Sequence, residues 1–311
     1  MTAADDLFPG FVEHRVDTGE AVIYARTGGT GPGLLLLHGY PQSHAMWHRV
    51  APQLAYTHTV VAADLRGYGR SSCPPSAQDH RPYSKRSMAR DMIALMRHFG
   101  FASFAIMGHD RGARVAYRMA LDLPQLVNRL VLLDIISTQD QWSAANQQMR
   151  LWMFHWAFLA QPAPMPETLI GRDPADWLEG RFKRGTKSRS LASIDPRALA
   201  DYAAYFADAD RIHATCEDFR AGAHCDLADD AADWAAGRRI ECPVLLLWGT
   251  EGPLADLADP LALWQPLCRQ VSGTSIDCGH FIAEERPDAL LEHAEPFLTA
   301  AVPPRWTGAR P

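Results

Sequence analysis

The chain has 311 residues, 47% of them hydrophobic, and a formal charge of −6, which suits one large α/β domain with an insertion or two ordinary domains. That charge excludes a basic surface for nucleic acid and a polybasic membrane anchor. The acidic start Met-Thr-Ala-Ala-Asp-Asp-Leu-Phe lacks the make-up of a signal peptide, and runs such as Leu34–Leu37 and Val244–Trp248 are too short to span a bilayer, so a cytoplasmic location is expected.

Residues 10–17 and 20–26 read as an opening pair of strands turning at Gly19. Leu34 to Leu37 is a continuous apolar run ending in His38-Gly39, the pattern of a strand buried on both faces. Thr59 to Ala63, Phe104 to Met107 and Leu130 to Leu133 repeat it. Between them, residues 84–98 carry helical spacing, with Met88, Met92, Leu95 and Phe99 on one stripe and Gly100 as the stop. Strands alternating with helices predict a mostly parallel sheet flanked by helices. The alternation stops after residue 136. From there to residue 228 the chain reads as helical, punctuated by Pro162, Pro164, Pro166, Pro174 and Pro196. Strand signals resume at Val244–Gly249 and near Gln270-Val271-Ser272, and the tail from Val302 reads as a disordered end. The expected organisation is a core of residues 1–136 and 229–311 with a helical insertion over 137–228. The six cysteines form no C-x-x-C pair and read as free, mostly buried thiols, and the thirteen histidines show no metal-ligand spacing.

The join between Phe104–Met107 and the helix-forming run Ala113–Leu121 is Gly108-His109-Asp110-Arg111-Gly112, small-x-Asp-x-small. The centre of such a strand-to-helix turn lies in strained backbone at the carboxyl edge of the sheet. A carboxylate there is held ionised by the helix N-terminus and suits attack on an electrophilic carbon. The competing reading makes Asp110 an ordinary N-cap. Arg111 and Arg114 stand three apart at the same helix start. Two cations there are unfavourable without an anion, and a substrate carboxylate is one that arginine binds bidentately. The alternatives are pairing with a nearby acid such as Asp122, or exposure to water. Asp134 ends the strand Leu130–Leu133, where an unpaired carboxylate would be costly to bury, and His280, in Asp277-Cys278-Gly279-His280-Phe281, is its natural partner. An N-cap or ion-pair role stays open for Asp134.

His38-Gly39-Tyr40-Pro41-Gln42, Asp64-Leu65-Arg66-Gly67-Tyr68-Gly69 and Gly108-His109-Asp110-Arg111-Gly112 together resemble the haloalkane dehalogenase and epoxide hydrolase branch of the α/β-hydrolases. Within it, Asp followed by Arg, with a second Arg three residues on, is similar to the fluoroacetate (haloacetate) dehalogenases, and the likeness runs from about residue 8 to residue 298. It implies an α/β-hydrolase fold with an inserted helical cap, an anionic small-molecule substrate, no cofactor or metal, and a homodimer. It implies Asp110 as nucleophile, His280 as the base that activates water, and Asp134 as the acid orienting His280, with Asp256 as the rival acid. Backbone N–H groups of Tyr40 and Arg111 would form the oxyanion site, with His38 structural. His155 and Trp156 match the family's halide-binding pair, although neighbours in a helix do not share a face, so a kink is needed.

Two departures stand out. Where the family carries a tyrosine as third halide donor, Cys216-Glu217-Asp218-Phe219-Arg220 places Phe219. Losing that hydroxyl would cost on the order of 1.5–3 kcal/mol and weigh most on fluoride, favouring chloroacetate, bromoacetate or a bulkier acid. In Phe182-Lys183-Arg184-Gly185-Thr186, relatives tend to carry a Trp between two glycines, and its loss is expected to widen the pocket or its entrance. The expected reaction is hydrolysis of a 2-halo acid to a 2-hydroxy acid. The rivals are an epoxide hydrolase, with Tyr202 and Tyr205 as proton donors, and a silent ligand-binding member of the fold. Epoxide hydrolases usually carry Trp after the nucleophile, where this chain has Arg111.

Overall fold

The computed structural model describes residues 6–143, 147–255, 257 and 259–301. The leucine run forms β3 (Gly33–Leu37), buried at every position and hydrogen-bonded on both sides, to β4 (Thr59–Ala63) and β5 (Phe104–His109), all parallel. Apolar side chains on both faces are what a strand covered above and below requires. β6 (Val127–Leu133), β7 (Val244–Gly249) and β8 (Val271–Ile276) continue the parallel sheet outward from β5. On the other side β1 (Val12–Asp17) and β2 (Val22–Gly28) form the antiparallel pair that the opening residues predict, with Gly19 at φ 96° between them. The order across the sheet is β1-β2-β4-β3-β5-β6-β7-β8.

The helix Lys85–His98 begins at an N-cap, Ser84, whose side chain accepts from Ser87 N–H, and buries Met88, Met92 and Leu95 as the spacing predicts. Between β6 and β7 the chain runs through eight helices among the described residues, from Thr138–Ser143 to Cys225–Ala235. Three of the prolines are helix starts rather than interruptions: Pro166, Pro174 and Pro196 lie in first turns, where a missing N–H costs nothing. Asp173, Asp195 and Asp208 cap the helices that follow them. The expected boundary at residue 228 falls inside the last helix, Cys225–Ala235.

That last helix has a reason to stay with the core. The helix Asp110–Asp122 is buried at every residue from Asp110 to Leu121, including Arg111, Arg114, Tyr117 and Arg118. Its polar side chains therefore need partners from above the sheet. Arg111 pairs with Asp218, Tyr117 donates to Asp230 at 2.8 Å, and Arg118 pairs with Asp233. The two helices Ala209–Ala223 and Cys225–Ala235 carry those acids. The six cysteines are unpaired, five of them buried. Among the described residues no helix is long and apolar enough to cross a membrane.

Candidate active site

Asp110 follows the last residue of β5 with φ 44°, a left-handed conformation that is costly for a residue with a Cβ, on the order of 1–3 kcal/mol. Its neighbours make the turn possible. A Cβ on Gly112 would stand 2.4 Å from the His38 carbonyl oxygen, and one on Gly108 2.7 Å from the Ala113 Cα. A Cβ on Gly39 would lie 2.6 Å from the Asp110 Cβ. Three glycines thus let β3, β5 and the helix Asp110–Asp122 converge on one carboxylate. The Tyr40 N–H donates to Asp110 Oδ2 at 3.0 Å. Burial pushes the Asp110 carboxyl up, but its neighbours His280, His109, Arg111 and Arg114 outweigh it and leave the pKa below the ordinary value.

Asp134 leaves the end of β6 with φ 54° and accepts from the His280 ring at 2.6 Å (Oδ2 to Nδ1) and from Gly249 N–H at 3.1 Å. It is fully buried, and burial raises its pKa in spite of the His280 contact. Glycine is again needed nearby, since a Cβ on Gly252 would stand 2.7 Å from Asp134 Oδ2. His280 lies in the loop after β8, anchored by its N–H to the Gly185 carbonyl at 2.8 Å. His109 Nε2 contacts the His280 carbonyl oxygen at 2.9 Å, and burial drops its pKa to about 3, so it is the neutral donor of that bond. Asp256 lies outside the described residues.

His38 is held on both ring nitrogens. Its Nε2 accepts from Leu65 N–H at 3.0 Å, so Nδ1 donates to the Gly39 carbonyl at 2.9 Å. The second motif is likewise structural. Asp64 accepts from the backbone of His44 and Arg70, Arg66 pairs with Asp91, and the turn projects Tyr68 toward Asp218.

Arg111 and Arg114 are both buried, and neither pairs with Asp122, which is taken by Arg86 and Arg118. Arg111 instead grips Asp218 through Nε (2.9 Å) and Nη2 (2.7 Å), while its Nη1 has no partner among the described residues. Asp218 also takes Lys85 and the Tyr68 hydroxyl, and its pKa is held low against burial by Arg111 and Lys85. Arg114 donates to the Ile136 carbonyl and to Thr138 Oγ1, stacks 4.5 Å from the Trp156 ring, and leaves Nε unpartnered. Each arginine therefore keeps one buried donor in reserve. Asp218, Lys85 and Tyr68 escape a reading of the sequence because their partner is more than a hundred residues away. The one signal was Asp218 itself, an acid beside Phe219 in a segment already singled out.

His155 and Trp156 open the helix Phe154–Leu159, after a break at Met153 that separates it from the helix Gln147–Trp152. Both are buried and both rings approach Phe219, at 5.8 and 5.7 Å. Asp110, Arg114, Asp134, His155, Trp156, Arg181 and His280 all line one cavity of about 20 Å³, room for about one water-sized group. Gly185 borders it, and a Cβ there would meet the Phe281 ring at 2.4 Å. Phe281 thus packs directly against Gly185. Tyr202 and Tyr205 line a different cavity, and the Tyr202 hydroxyl donates to Glu284.

Comparison with known proteins bears on the family and the fold. Residues 32–287 match the family described as the alpha/beta hydrolase fold. The chain is 42% identical to a fluoroacetate dehalogenase from Burkholderia sp, over 95% of this chain and 96% of that one. It is 31% identical to a soluble epoxide hydrolase from Corynebacterium sp. (strain C12), over 88% and 92% respectively. A solved alpha/beta hydrolase structure from Nostoc sp PCC 7120 superposes with a TM-score of 0.91 at 46% identity, covering 94% of this chain and 99% of that one.

Proposed function

We propose that this chain, which belongs to the fluoroacetate/haloacetate dehalogenase family of the α/β-hydrolase superfamily, hydrolyses the carbon–halogen bond of a small 2-halo acid with Asp110 as nucleophile. One observation carries the reading: a buried, ionised carboxylate shares a cavity with a His–Asp pair and with Arg114, while Arg111 follows Asp110 directly in the chain, and each of these buried arginines holds a spare donor.

Arg111 Nη1 and Arg114 Nε hold the substrate carboxylate, fixing the α-carbon in front of Asp110. An Asp110 oxygen forms a bond to that carbon as the halogen leaves with the bonding pair, toward His155 and Trp156. In the second step His280, its Nδ1 held by Asp134, takes a proton from water, which attacks the aspartyl ester carbonyl. The Tyr40 and Arg111 backbone N–H groups receive the oxyanion. On collapse the departing oxygen takes the proton back from His280 and leaves as the hydroxyl of a 2-hydroxy acid, and the Asp110 carboxyl loses the second water proton to solvent and is restored as carboxylate. The helical run over 137–228 acts as the cap that closes this chamber, and the chamber's size favours short acids.

An epoxide hydrolase shares the nucleophile and base, and Tyr40 does line the cavity, with its hydroxyl accepting from Trp177. An epoxide, however, gives the spare arginine donors nothing to bind, and Tyr202 and Tyr205 lie elsewhere. The test is halide release from fluoro-, chloro- and bromoacetate alongside ring opening of a neutral epoxide. Halide release that is lost in Asp110→Asn is expected; epoxide opening without halide release would overturn the reading.

A further inference from the structure

One buried cation in the chamber has no role in these steps. Arg181, on the helix Pro174–Gly185, is 7% exposed and lines the same cavity as Asp110 and His155. Burial pulls its pKa down to about 10, so it is charged at neutral pH. Among the described residues its Nε and Nη1 have no hydrogen-bond partner, and the carboxylate whose field reaches it is Asp110. Such a group is costly to keep unless an anion joins it in the working protein. The Phe154 ring, 5.9 Å away, is at the outer limit of a cation–π contact and leaves the N–H groups unmet.

Its remaining contact orders a second donor. Arg181 Nη2 lies 3.3 Å from His155 Nε2. A guanidinium only donates, so Nε2 accepts and the imidazole hydrogen sits on Nδ1. Burial, reinforced by Arg181, holds His155 neutral. That Nδ1 also has no partner among the described residues. Arg181 Nε–H and Nη1–H and His155 Nδ1–H are thus three buried donors without an acceptor. They stand at His155, whereas Arg111 and Arg114 stack on Trp156 at 5.1 and 4.5 Å.

We infer that Arg181, held beside His155 by its Nη2 contact to Nε2, receives the departing halide on its Nε–H and Nη1–H groups, supplying from the helix Pro174–Gly185 the donor that Phe219 does not. This rests on the dehalogenase reading. As the Asp110 oxygen bonds to the α-carbon, the carbon–halogen pair leaves with the halogen; the anion accepts hydrogen bonds from Arg181, which keeps its protons. A charged donor favours the leaving group with the most concentrated charge. Fluoride therefore remains a competent leaving group in spite of Phe219.

Arg181→Met and Arg181→Lys separate this role from a structural one. The measurements are single-turnover cleavage of fluoro- and bromoacetate, and bromide titration of the substrate-free protein by tryptophan quenching. Arg181→Met is expected to weaken bromide binding about tenfold or more, and to slow fluoroacetate cleavage about tenfold more than bromoacetate cleavage; Arg181→Lys recovers part of both. Unchanged bromide binding with an equal loss for both substrates would overturn the inference. Should Arg181→Met not fold, Arg181→Gln is read the same way. If the unsubstituted protein releases no halide from any 2-halo acid, the dehalogenase reading fails by itself, and the bromide titration still decides whether Arg181 holds a halide.

Discussion

At the scale of single residues, the candidate site divides into side chains that meet the substrate and side chains that hold those in place. His280 belongs to the first group only in the second half of the proposed cycle. His280→Gln should leave the first step intact and trap a carboxymethyl ester on Asp110, visible by mass spectrometry of the peptide after exposure to chloroacetate; an unmodified peptide with halide in solution would contradict that order of events. Phe219 faces both His155 and Trp156. Phe219→Tyr should raise fluoroacetate turnover relative to chloroacetate about tenfold, and an unchanged ratio would mean that position 219 does not face the leaving group. The residues proposed to meet the substrate were legible in the sequence because they adjoin one turn with fixed spacing: Asp110, Arg111 and Arg114 stand on one helix start. Their holders were not. Asp218 is an unremarkable acid in a helix until the fold lays it against Arg111, and Arg181 is one of two arginines in Arg181-Phe182-Lys183-Arg184 until burial singles it out.

At the scale of elements, the site depends on how closely three strand ends and one helix approach each other. Gly112 is the tightest of these contacts, because a Cβ there would meet backbone oxygens of both His38 and Leu37 at about 2.4–2.5 Å, and backbone cannot swing aside. Gly112→Ala should destabilise the fold by about 3 kcal/mol, read as a lowered denaturation midpoint; unaltered stability would show that β3 and the helix Asp110–Asp122 have slack. The helix Ala209–Ala223 is tied to that nucleophile helix through Asp218, which compensates two buried cations, Arg111 and Lys85. Removing it strands Arg111 and leaves Lys85 only the longer contact to Asp226 at 3.5 Å. Asp218→Asn should cost about 3–5 kcal/mol and raise KM for haloacetate as Arg111 loses its fixed position, whereas a KM equal to that of the unsubstituted protein would mean Arg111 is held by packing alone. Element types were readable from apolar runs and helical spacing. The prolines were harder, since a proline that breaks a helix and one that starts it look alike without the capping Asp173 and Asp195 in place beside Pro174 and Pro196.

At the scale of the whole molecule, the core loop after β8 and the helical insertion meet at Glu284. Its carboxyl is fully buried, accepts from Tyr202 and, more weakly, from Gln42 at 3.4 Å, and leaves Oε2 unpartnered among the described residues. Burial raises its pKa to about 7. The folded chain therefore holds a proton that the unfolded chain, titrating near 4.5, releases earlier. Stability from this group is greatest at acid pH and falls as pH rises from about 4.5 to 7, by on the order of 3 kcal/mol. Glu284→Gln should remove that slope, raising Tm at pH 8 relative to the unsubstituted chain and changing it little at pH 4.5; equal shifts at both pH values would contradict it. All of these features surround one carboxylate, and the central claim is that Asp110 itself bonds to the substrate. A single turnover of chloroacetate by excess protein in ¹⁸O-labelled water tests this most directly. The account predicts label in the Asp110 side chain and unlabelled glycolate, because water attacks the ester carbonyl; label in the glycolate with none in Asp110 would contradict it.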